Sequence, residues 1–384
     1  MNNNKHLFFV DSIRAYIIIG GVVLFHILCG LSFLTPKWYV YTPVQSKFAD
    51  FYVVFIDTWA MAGMFFISGY FSWPSLMKKG SALFLQDRFN KVAVPSLVVL
   101  LLLCPTMPYF AQLSRGESVQ LLAVYMEFFK SFLDFGVKQC SFNSVYCHHH
   151  LWFVELLLAF SLALVPLKMI GFGSKPAKQE DPVWKITVYL LLFGVLAAVT
   201  MGYSLTIVKY DAWFRVGPLL TIQASRVPLY VACFLLGILA ERGRWLDGIK
   251  TLRKSAPWII SILVLIAINV GLVSVKSEIT PMIQDGISRV MFSYFMIILL
   301  LALSARFLEK PNKIISELSD RSFNIYLLHL PVVVALQYWM MNIAMETWLK
   351  VSIIYVITVV VCMPNLAQRL TPSVAFFAKP TSAA

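Results

Sequence analysis

The chain has 384 residues, of which 59% are hydrophobic and only 13% are Asp, Glu, Lys or Arg. Ordinary soluble domains carry about 25% charged residues. About 20 apolar residues cross one hydrocarbon core, so this composition excludes a soluble enzyme and predicts a polytopic membrane protein. The net charge of +13 is spread over short segments between apolar runs, which argues against a nucleic-acid-binding face.

Hydropathy predicts about ten membrane-spanning helices. Apolar runs such as 97–103 and 259–268 lack the alternation of a transmembrane strand, so the predicted fold class is all-α. The predicted spans are centred in the following segments: 15–34, 50–72, 92–110, 151–170, 184–204, 222–240, 257–275, 288–305, 323–343 and 348–367.

Basic residues indicate the orientation. If both termini lie in the cytoplasm, 21 of the 32 Lys and Arg residues fall on the inner side, and the excess recurs at every inner segment. An odd number of crossings would lose this regularity. The first apolar run lacks an A-x-A-like cleavage site and is followed by further spans, so we expect an uncleaved first helix.

The longest segment between spans, 111–149, is a predicted outer loop with an amphipathic stretch at 121–135. No loop is large enough for a soluble catalytic domain. We therefore treat 1–384 as a single membrane domain and expect its chemistry in or beside the helices. Cys140 and Cys147 both lie in the outer loop, where they could form a disulfide or stay as two thiols.

Ionisable side chains inside a span are candidates for function, because each costs several kcal/mol unless it is paired. The first helix carries Asp11, Arg14 and His26. Arg14 lies near the inner edge, where it could also serve as a membrane anchor. His26 lies deep in an apolar run, and its alternative role is a hydrogen bond to a neighbouring helix.

Asp57 on the second helix should lie at the depth of His26, since each is about eight residues from the outer end of its span. A carboxylate that accepts from one imidazole nitrogen raises the basicity of the other. A general base acting on a hydroxyl needs this arrangement. The alternative is a structural pair without chemistry.

Twelve residue steps separate Arg14 from His26, or ~18 Å along a helix axis. This matches roughly the reach of an extended phosphopantetheine arm. An acyl-CoA entering from the cytoplasm could therefore leave its phosphates near Arg14 and its thioester near His26. The inner segment between the second and third spans adds four cations: Lys78, Lys79, Arg88 and Lys91.

Five motifs follow one another along nearly the whole chain. They are DSIRA followed by a buried FH, FFISGYF at 65–71, RFNKVAVP at 88–95, HLWFVE at 150–155 and SFNIYLLHLP at 322–331. Their order and spacing resemble the acyltransferase-3 family of integral membrane acyltransferases. In its length, its lack of a fused hydrolase domain and its ISGYFS sequence, the chain looks most like the family members that succinylate periplasmic glucans.

The resemblance implies transfer of an acyl group, acetyl or succinyl, from cytoplasmic acyl-CoA to a hydroxyl of a cell-envelope carbohydrate. That carbohydrate would be a periplasmic glucan, lipopolysaccharide or another exopolysaccharide. It implies a multi-pass protein of the bacterial inner membrane that needs no cofactor besides the co-substrate acyl-CoA. The arginine and histidine that matter most in the family correspond to Arg14 and His26, with Asp11 beside them on the donor side.

The spacing departs from the family by one residue. Eleven steps along an α-helix leave two residues within about 20° of one face, whereas the twelve steps here leave Arg14 and His26 about 120° apart. A π-bulge at Gly20-Gly21 would absorb the extra residue and restore the common face.

Other motif residues are candidates with open alternatives. Ser68 and Gly69 would let a ligand approach the backbone, or would allow close helix packing. Arg88 and Lys91 correspond to a basic pair of the family that binds the donor phosphates or anchors the inner edge. His329, two residues before Pro331, is a second candidate lining group of the transfer cavity, or packs at a kink.

The triplet His148-His149-His150 follows Cys147, but adjacent histidines do not converge easily on one ion, so we predict no metal site. His150 and Glu155 differ by about 140° on a helix and are expected to serve separate contacts on the acceptor side. Trp152 could stack on a sugar ring or belong to an interfacial aromatic belt. Arg226 and Arg289 could contact an anionic acceptor or anchor the outer edge.

The sequence thus predicts an O-acyltransferase in which His26 is the general base, Asp57 orients it and Arg14 holds the donor. A transporter or flippase of an envelope lipid or sugar is the alternative, although no internal repeat favours it. A sensor or scaffold protein would tolerate substitution of His26.

Overall fold

The computed structural model describes most of the chain. The described residues are 8–40, 42–141, 144–145, 147–171, 180–209, 212–247, 249, 252–275, 277–308 and 313–364.

Most described residues are helical. The first long rod is α1 (Phe8–Ala15), a π-helix (Tyr16–Val23) and α2 (Leu24–Cys29); a second π-helix (Phe89–Ala93) joins α4 to α5. The remaining α-helices are α3 (Lys47–Lys79), α4 (Ser81–Arg88), α5 (Val94–Leu102), α6 (Thr106–Ser114), α7 (Leu121–Phe132), α8 (Trp152–Met169), α9 (Val183–Ile207), α10 (Val227–Arg242), α11 (Leu252–Gly271), α12 (Thr280–Phe307), α13 (Lys313–Met340) and α14 (Thr347–Cys362). Short 3₁₀ turns cover His149–Leu151 and Leu272–Ser274.

Eight helical stretches of the described residues are long and apolar enough to cross a bilayer. Eight of the predicted spans fall mostly on these stretches, and the sixth and tenth fall on α10 and α14, which have 16 residues each. The chain is therefore a largely helical, polytopic membrane protein.

The helices pack around α3. Its 33 residues contact α10 along much of their length, and α12 and the first helical rod cover other faces. Because α3 carries the FFISGYF motif and the first rod carries Arg14 and His26, this packing gathers the motif residues in the interior of the bundle.

A small antiparallel sheet adds to the helical fold predicted from hydropathy. Its strands are β1 (Val137–Cys140), β2 (Trp213–Val216) and β3 (Leu220–Gln223), in the order β1-β2-β3. Four-residue strands bury too few apolar side chains to leave a recognisable pattern, which explains why the sequence did not reveal them. The sheet joins the 111–149 segment to the segment before α10.

The amphipathic stretch predicted in the outer loop is a helix, α7. Val124 and Phe128 are buried and its neighbouring side chains Leu122 and Met126 are exposed. Cys140 and Cys147, whose bonding the sequence left open, are both buried free thiols in this structure.

A glycine crossing holds α3 against α10. A Cβ atom on Gly69 would lie 2.0 Å from the carbonyl oxygen of Phe234, and one on Gly237 would lie 2.0 Å from that of Phe66. The two backbones therefore touch, as small residues permit in membrane bundles. Of the two roles that the sequence left open for Gly69, close helix packing is the one seen, because helix α10 fills the space beside it.

The predicted bulge in the first helix is confirmed as the π-helix Tyr16–Val23, which contains Gly20 and Gly21. The i→i+5 pattern loosens the carbonyl ladder, and neighbouring tyrosines bond to it. Tyr52 donates its hydroxyl to the carbonyl of Gly20, and Tyr355 donates to that of Ile19 at 3.2 Å.

Candidate functional site

In the described part of the chain, two cavities beside the first helical rod have polar linings. The larger, which we call the basic cavity, has a volume of about 270 Å³, and its described lining includes Arg14, Ser68, Arg88 and Lys91. Four of the six residues predicted to bind the donor therefore line one cavity. The backbone of Asp11 belongs to α1, but its side chain lies outside the described residues.

Serine groups hold the two arginines of the basic cavity. Nη2 of Arg14 donates to the hydroxyl of Ser319 at 3.2 Å and to its carbonyl at 3.4 Å. Nη2 of Arg88 donates to the hydroxyl of Ser72 at 3.1 Å, and its guanidinium lies 5.0 Å from the ring centroid of Phe84. Within the described residues, a neutral serine hydroxyl thus holds each of the two guanidinium groups.

Lys91 is the most accessible cation of the basic cavity. Its side chain is 73% exposed, and its Nζ lies 3.4 Å from a carboxylate oxygen of Asp87. Since exposed pairs of this kind are weak, Lys91 remains available to an anion entering the cavity.

The smaller cavity, the aromatic cavity, has a volume of about 70 Å³. Described residues from five parts of the chain line it. Those with polar or aromatic side chains include His26, Asp57, His150, Trp152, Trp213, Gln223, Arg226 and Tyr326. The sequence offered five of them as catalytic or acceptor-side candidates: His26, Asp57, His150, Trp152 and Arg226. Trp213, Gln223 and Tyr326 were not among these candidates; only Tyr326 lies in one of the five motifs.

His26 and His329 form a direct pair. Nδ1 of His26 lies 2.9 Å from Nε2 of His329, and the ring of His26 also contacts those of Trp38 and Phe25. Both histidines are buried, His329 completely. His329 was predicted as a second polar group lining the transfer cavity; it is instead a buried partner of His26 and is not among the described lining residues of either cavity.

Backbone carbonyls fix the tautomers of the pair. Nδ1 of His329 lies 2.7 Å from the carbonyl oxygen of Tyr326, which can only accept, so this nitrogen carries the proton. Nε2 of His329 then accepts from Nδ1–H of His26, which is shared with the carbonyl of Val22 at 2.9 Å. Nε2 of His26 is left with a lone pair and makes no hydrogen bond within the described part of the chain.

His150 supports the pair from the side. Its Nε2 donates to the carbonyl of Leu327 at 2.9 Å, and its ring centroid lies 5.1 Å from that of His329. The hydroxyl of Tyr326 donates to the carbonyl of His150. These contacts tie the turn at 149–151 to α13, and place His150 in the wall of the aromatic cavity as predicted.

Asp57 does not orient His26, so that prediction is wrong. Both carboxylate oxygens of Asp57 accept from Arg226, at 2.6 and 2.5 Å, in a bidentate pair. The depth of Asp57 matches that of His26, and both line the aromatic cavity. A guanidinium group donates two parallel hydrogen bonds to a carboxylate, whereas an imidazole nitrogen donates one. This explains why Asp57 pairs with Arg226 and not with His26.

Glu155 is not free to orient an acceptor either. One of its oxygens accepts from the backbone N–H of Thr221 at 2.7 Å, and the other lies 2.8 Å from Nδ1 of His148. All three groups are buried, and Glu155 does not line the aromatic cavity among the described residues. Glu155 therefore fastens β3 and the histidine turn to the start of α8.

The histidine triplet separates to different partners. His148 lies beside Glu155, Nδ1 of His149 bonds to the hydroxyl of Tyr39 at 2.6 Å, and His150 bonds to Leu327. The positive φ of 54° at His149 turns the backbone between its neighbours, which sends the three rings in different directions.

Tyr326 is common to the described linings of the two cavities. It lines the basic cavity together with Arg14 and the aromatic cavity together with His26. Both cavities therefore reach Tyr326, which lies three residues before His329 on α13.

Comparison with known proteins agrees with this arrangement. The acyltransferase-3 family, whose matching region is described as an acyltransferase domain, covers residues 7–364. The chain is 26% identical over 248 residues to proteins named glucans biosynthesis protein C from Salmonella heidelberg, Salmonella typhi and Salmonella typhimurium.

These alignments cover 61% of this chain and 58% of each relative, so the match spans less than two thirds of the relatives' length. No solved structure matches the chain. The family match over nearly the whole chain, together with its helical membrane fold, establishes that this protein belongs to the acyltransferase-3 family.

Proposed function

We propose that this protein is a membrane-bound O-acyltransferase that moves an acetyl or succinyl group from cytoplasmic acyl-CoA to a hydroxyl of a cell-envelope carbohydrate. One observation carries the proposal: Nε2 of His26 keeps its lone pair because His329 and Val22 engage Nδ1, and His26 lines the aromatic cavity. An imidazole held in this tautomer is suited to act as a general base on a hydroxyl.

The basic cavity is the proposed donor site. Arg14, Arg88 and Lys91 provide cations for the phosphates of CoA, and guanidinium groups bind phosphate in a bidentate manner. The apolar remainder of the lining, which includes Ile67, Phe71 and Phe153, suits the pantetheine arm. The thioester would then reach the shared residue Tyr326.

The excess of basic residues on one side supports a topology with ten crossings and both termini in the cytoplasm. In that orientation the basic cavity faces the cytoplasm, where acyl-CoA is made, and the aromatic cavity faces outward. We therefore place the protein in the bacterial inner membrane, with the donor and the acceptor arriving from opposite sides.

The acceptor class is supported by the names of the relatives, which refer to glucan biosynthesis. The aromatic cavity supplies the ring faces and polar groups that carbohydrate sites contain. A periplasmic glucan is therefore the proposed acceptor, with lipopolysaccharide or another exopolysaccharide as alternatives within the same chemical class.

The reaction follows from this placement. Nε2 of His26 takes the proton of the sugar hydroxyl as its oxygen attacks the thioester carbonyl, forming a tetrahedral intermediate. The intermediate collapses with cleavage of the carbon–sulfur bond, and the imidazolium returns the proton to the CoA thiolate. The products are the sugar ester and CoA, and His26 is neutral again.

The test is release of free CoA by the purified protein in lipid vesicles, supplied with acetyl-CoA or succinyl-CoA and a neutral glucan. We expect turnover by the native protein and a loss of at least about 100-fold in His26→Ala with CoA binding retained. Tyr16→Phe, an exposed position on the same helical rod, is the matched control and should turn over normally.

Absence of CoA release with either donor, from protein that binds CoA, would refute the proposal. If the same vesicles instead moved labelled glucan across the bilayer, the transporter would replace it.

A further inference from the structure

We infer that the aromatic cavity is a subsite for an uncharged sugar ring, in which Trp152 and Trp213 cover the ring and the Asp57–Arg226 pair binds its hydroxyls. This inference rests on the proposed function and specifies its acceptor. Neither Trp213 nor the Asp57–Arg226 pair belongs to the machinery assigned to the transfer step.

The aromatic wall is built as a rigid corner. The ring centroids of Trp152 and Trp213 lie 5.5 Å apart at an interplanar angle of 63°, and Trp152 stacks on Tyr230 at 5.3 Å and 29°. Tyr230 is buried, whereas both tryptophans are partly exposed and line the cavity. The apolar C–H face of a pyranose ring packs well against such an indole surface.

The sheet and α8 hold the corner in place. Trp213 begins β2 and lies opposite Cys140 on β1 and Gln223 on β3, so three strands fix its position. The amide of Gln223 also lines the cavity. A sugar ring stacked on Trp213 would therefore have a hydrogen-bonding amide close to its edge.

The opposite wall is polar but has no net charge. Asp57 and Arg226 neutralise each other, and they are the charged residues among the described lining of the cavity. The side chain of Asp57 is 34% exposed and that of Arg226 only 10%. A carboxylate has about four lone-pair positions, so Asp57 can accept from sugar hydroxyls while it holds Arg226.

This balance argues against an anionic acceptor at Arg226. Its Nη1 and Nη2 are both directed at Asp57, and a second anion beside that carboxylate would meet like-charge repulsion. The basic cavity, in which the guanidinium groups have neutral serine partners, offers the contrast. The two cavities thus differ in the charge of the ligand that they select.

The volume of the cavity limits how much of the glycan enters. Cavities that enclose a whole small ligand measure about 300–1,000 Å³, whereas this one measures about 70 Å³. It accommodates one edge of a sugar with its hydroxyls, beside His26, while the rest of the glycan stays outside.

Substitution of Trp213 tests the stacking. With a neutral glucose oligosaccharide as acceptor, we expect Trp213→Leu to raise the KM for the oligosaccharide about tenfold and to leave the KM for acyl-CoA unchanged. Trp213→Phe should recover most of the loss because it retains a ring. Trp184→Leu removes a tryptophan that is 68% exposed on α9 and serves as the matched control.

An unchanged KM for the oligosaccharide in Trp213→Leu would overturn the inference. So would an equal increase in the KM values for both substrates, because that pattern indicates general distortion. Direct calorimetric binding of the oligosaccharide to native and Trp213→Leu protein separates the two proposals: lack of turnover by the native protein refutes the transfer function, whereas lack of a binding difference refutes the subsite.

Asp57→Asn tests the charge balance by a gain of binding, which misfolding cannot mimic. The native protein should be inhibited by the neutral oligosaccharide analogue at least tenfold better than by a glucuronic-acid oligosaccharide of equal length. In Asp57→Asn the positive charge of Arg226 is no longer compensated, so the glucuronic-acid oligosaccharide should inhibit the variant more strongly than it inhibits the native protein. A native preference for the acidic oligosaccharide, or no change in the variant, would contradict an uncharged ligand.

Discussion

Nε2 of His329 lies 2.9 Å from Nδ1 of His26, although the two residues are 303 positions apart in the chain. The contact places an imidazole where many general bases have a carboxylate. A neutral partner fixes the tautomer of His26 without adding a negative charge to the interior of the bundle, where an ionised group is costly.

Two substitutions test whether His329 positions His26: one keeps a hydrogen-bond acceptor at this place and the other removes it. In His329→Gln the amide oxygen can take the place of Nε2 and accept from His26, whereas His329→Leu cannot. We expect His329→Leu to lower kcat by about 10- to 100-fold with little change in either KM, and His329→Gln to recover much of that loss. Equal defects in both variants, or a defect confined to KM, would show that His329 acts only in packing.

The arginines of the basic cavity should set the affinity for the donor. Arg88→Ala and Arg14→Ala should each weaken CoA binding roughly tenfold, because each removes a charge-assisted contact with phosphate. Arg306→Ala, at the end of α12 and outside the described lining of the cavity, is the matched control. Equilibrium binding of CoA to protein in nanodiscs measures the effect, and unchanged affinity in both cavity variants would remove the donor site from this cavity.

The π-helix between Arg14 and His26 makes a prediction about length. Deleting Gly20 leaves eleven steps between the two residues, and a regular α-helix then keeps them within about 20° of one face. We expect this deletion to retain transfer within about tenfold of the native rate, even though it shortens a transmembrane helix.

Deleting both Gly20 and Gly21 leaves ten steps, which rotates the pair about 80° apart and should abolish transfer. The amount of folded protein and its rate of CoA release, measured for both deletions, show whether transfer depends on the angle between Arg14 and His26. Loss of activity in the single deletion with folding preserved would show that the site requires the π-helix itself.

The glycine crossing should control stability. In Gly69→Ala the new methyl group would lie 2.0 Å from the carbonyl oxygen of Phe234, so α3 and α10 must move apart. We expect a loss of about 1–3 kcal/mol in stability, seen as a lower thermal midpoint in detergent. Gly271→Ala is the control, since a Cβ atom there meets nothing within 4 Å. Equal midpoints for the two variants would contradict the crossing.

Much of the fold could be predicted from the sequence because hydropathy is a local property. Each predicted span falls mostly on helical residues, and the π-helix followed from a count of the residues between Arg14 and His26. Arg14, Ser68, Arg88 and Lys91 line one cavity because they lie near the same end of helices that pack together.

Side-chain partners could not be predicted in the same way. Asp57 and His26 lie at the same depth in the bundle, but depth does not specify the direction in which a side chain leaves its helix. The carboxylate of Asp57 bonds instead to Arg226, the residue just before α10. Glu155 likewise accepts a hydrogen bond from the backbone N–H of Thr221, which lies in a strand too short to be predicted from the sequence. Trp213 carries no motif, and only the sheet brings it to the cavity.

Tyr326 lines both the donor-side and the acceptor-side cavity. In the proposed reaction, a charged nucleotide thioester and a bulky glycan would approach from opposite sides of the bilayer, and neither would need to enter the compartment of the other. Only a group of two to four carbons would pass, beside a tyrosine whose hydroxyl is bonded to the carbonyl of His150. A polysaccharide outside the cell could thus be modified at the expense of a cytoplasmic metabolite without any large solute crossing the membrane.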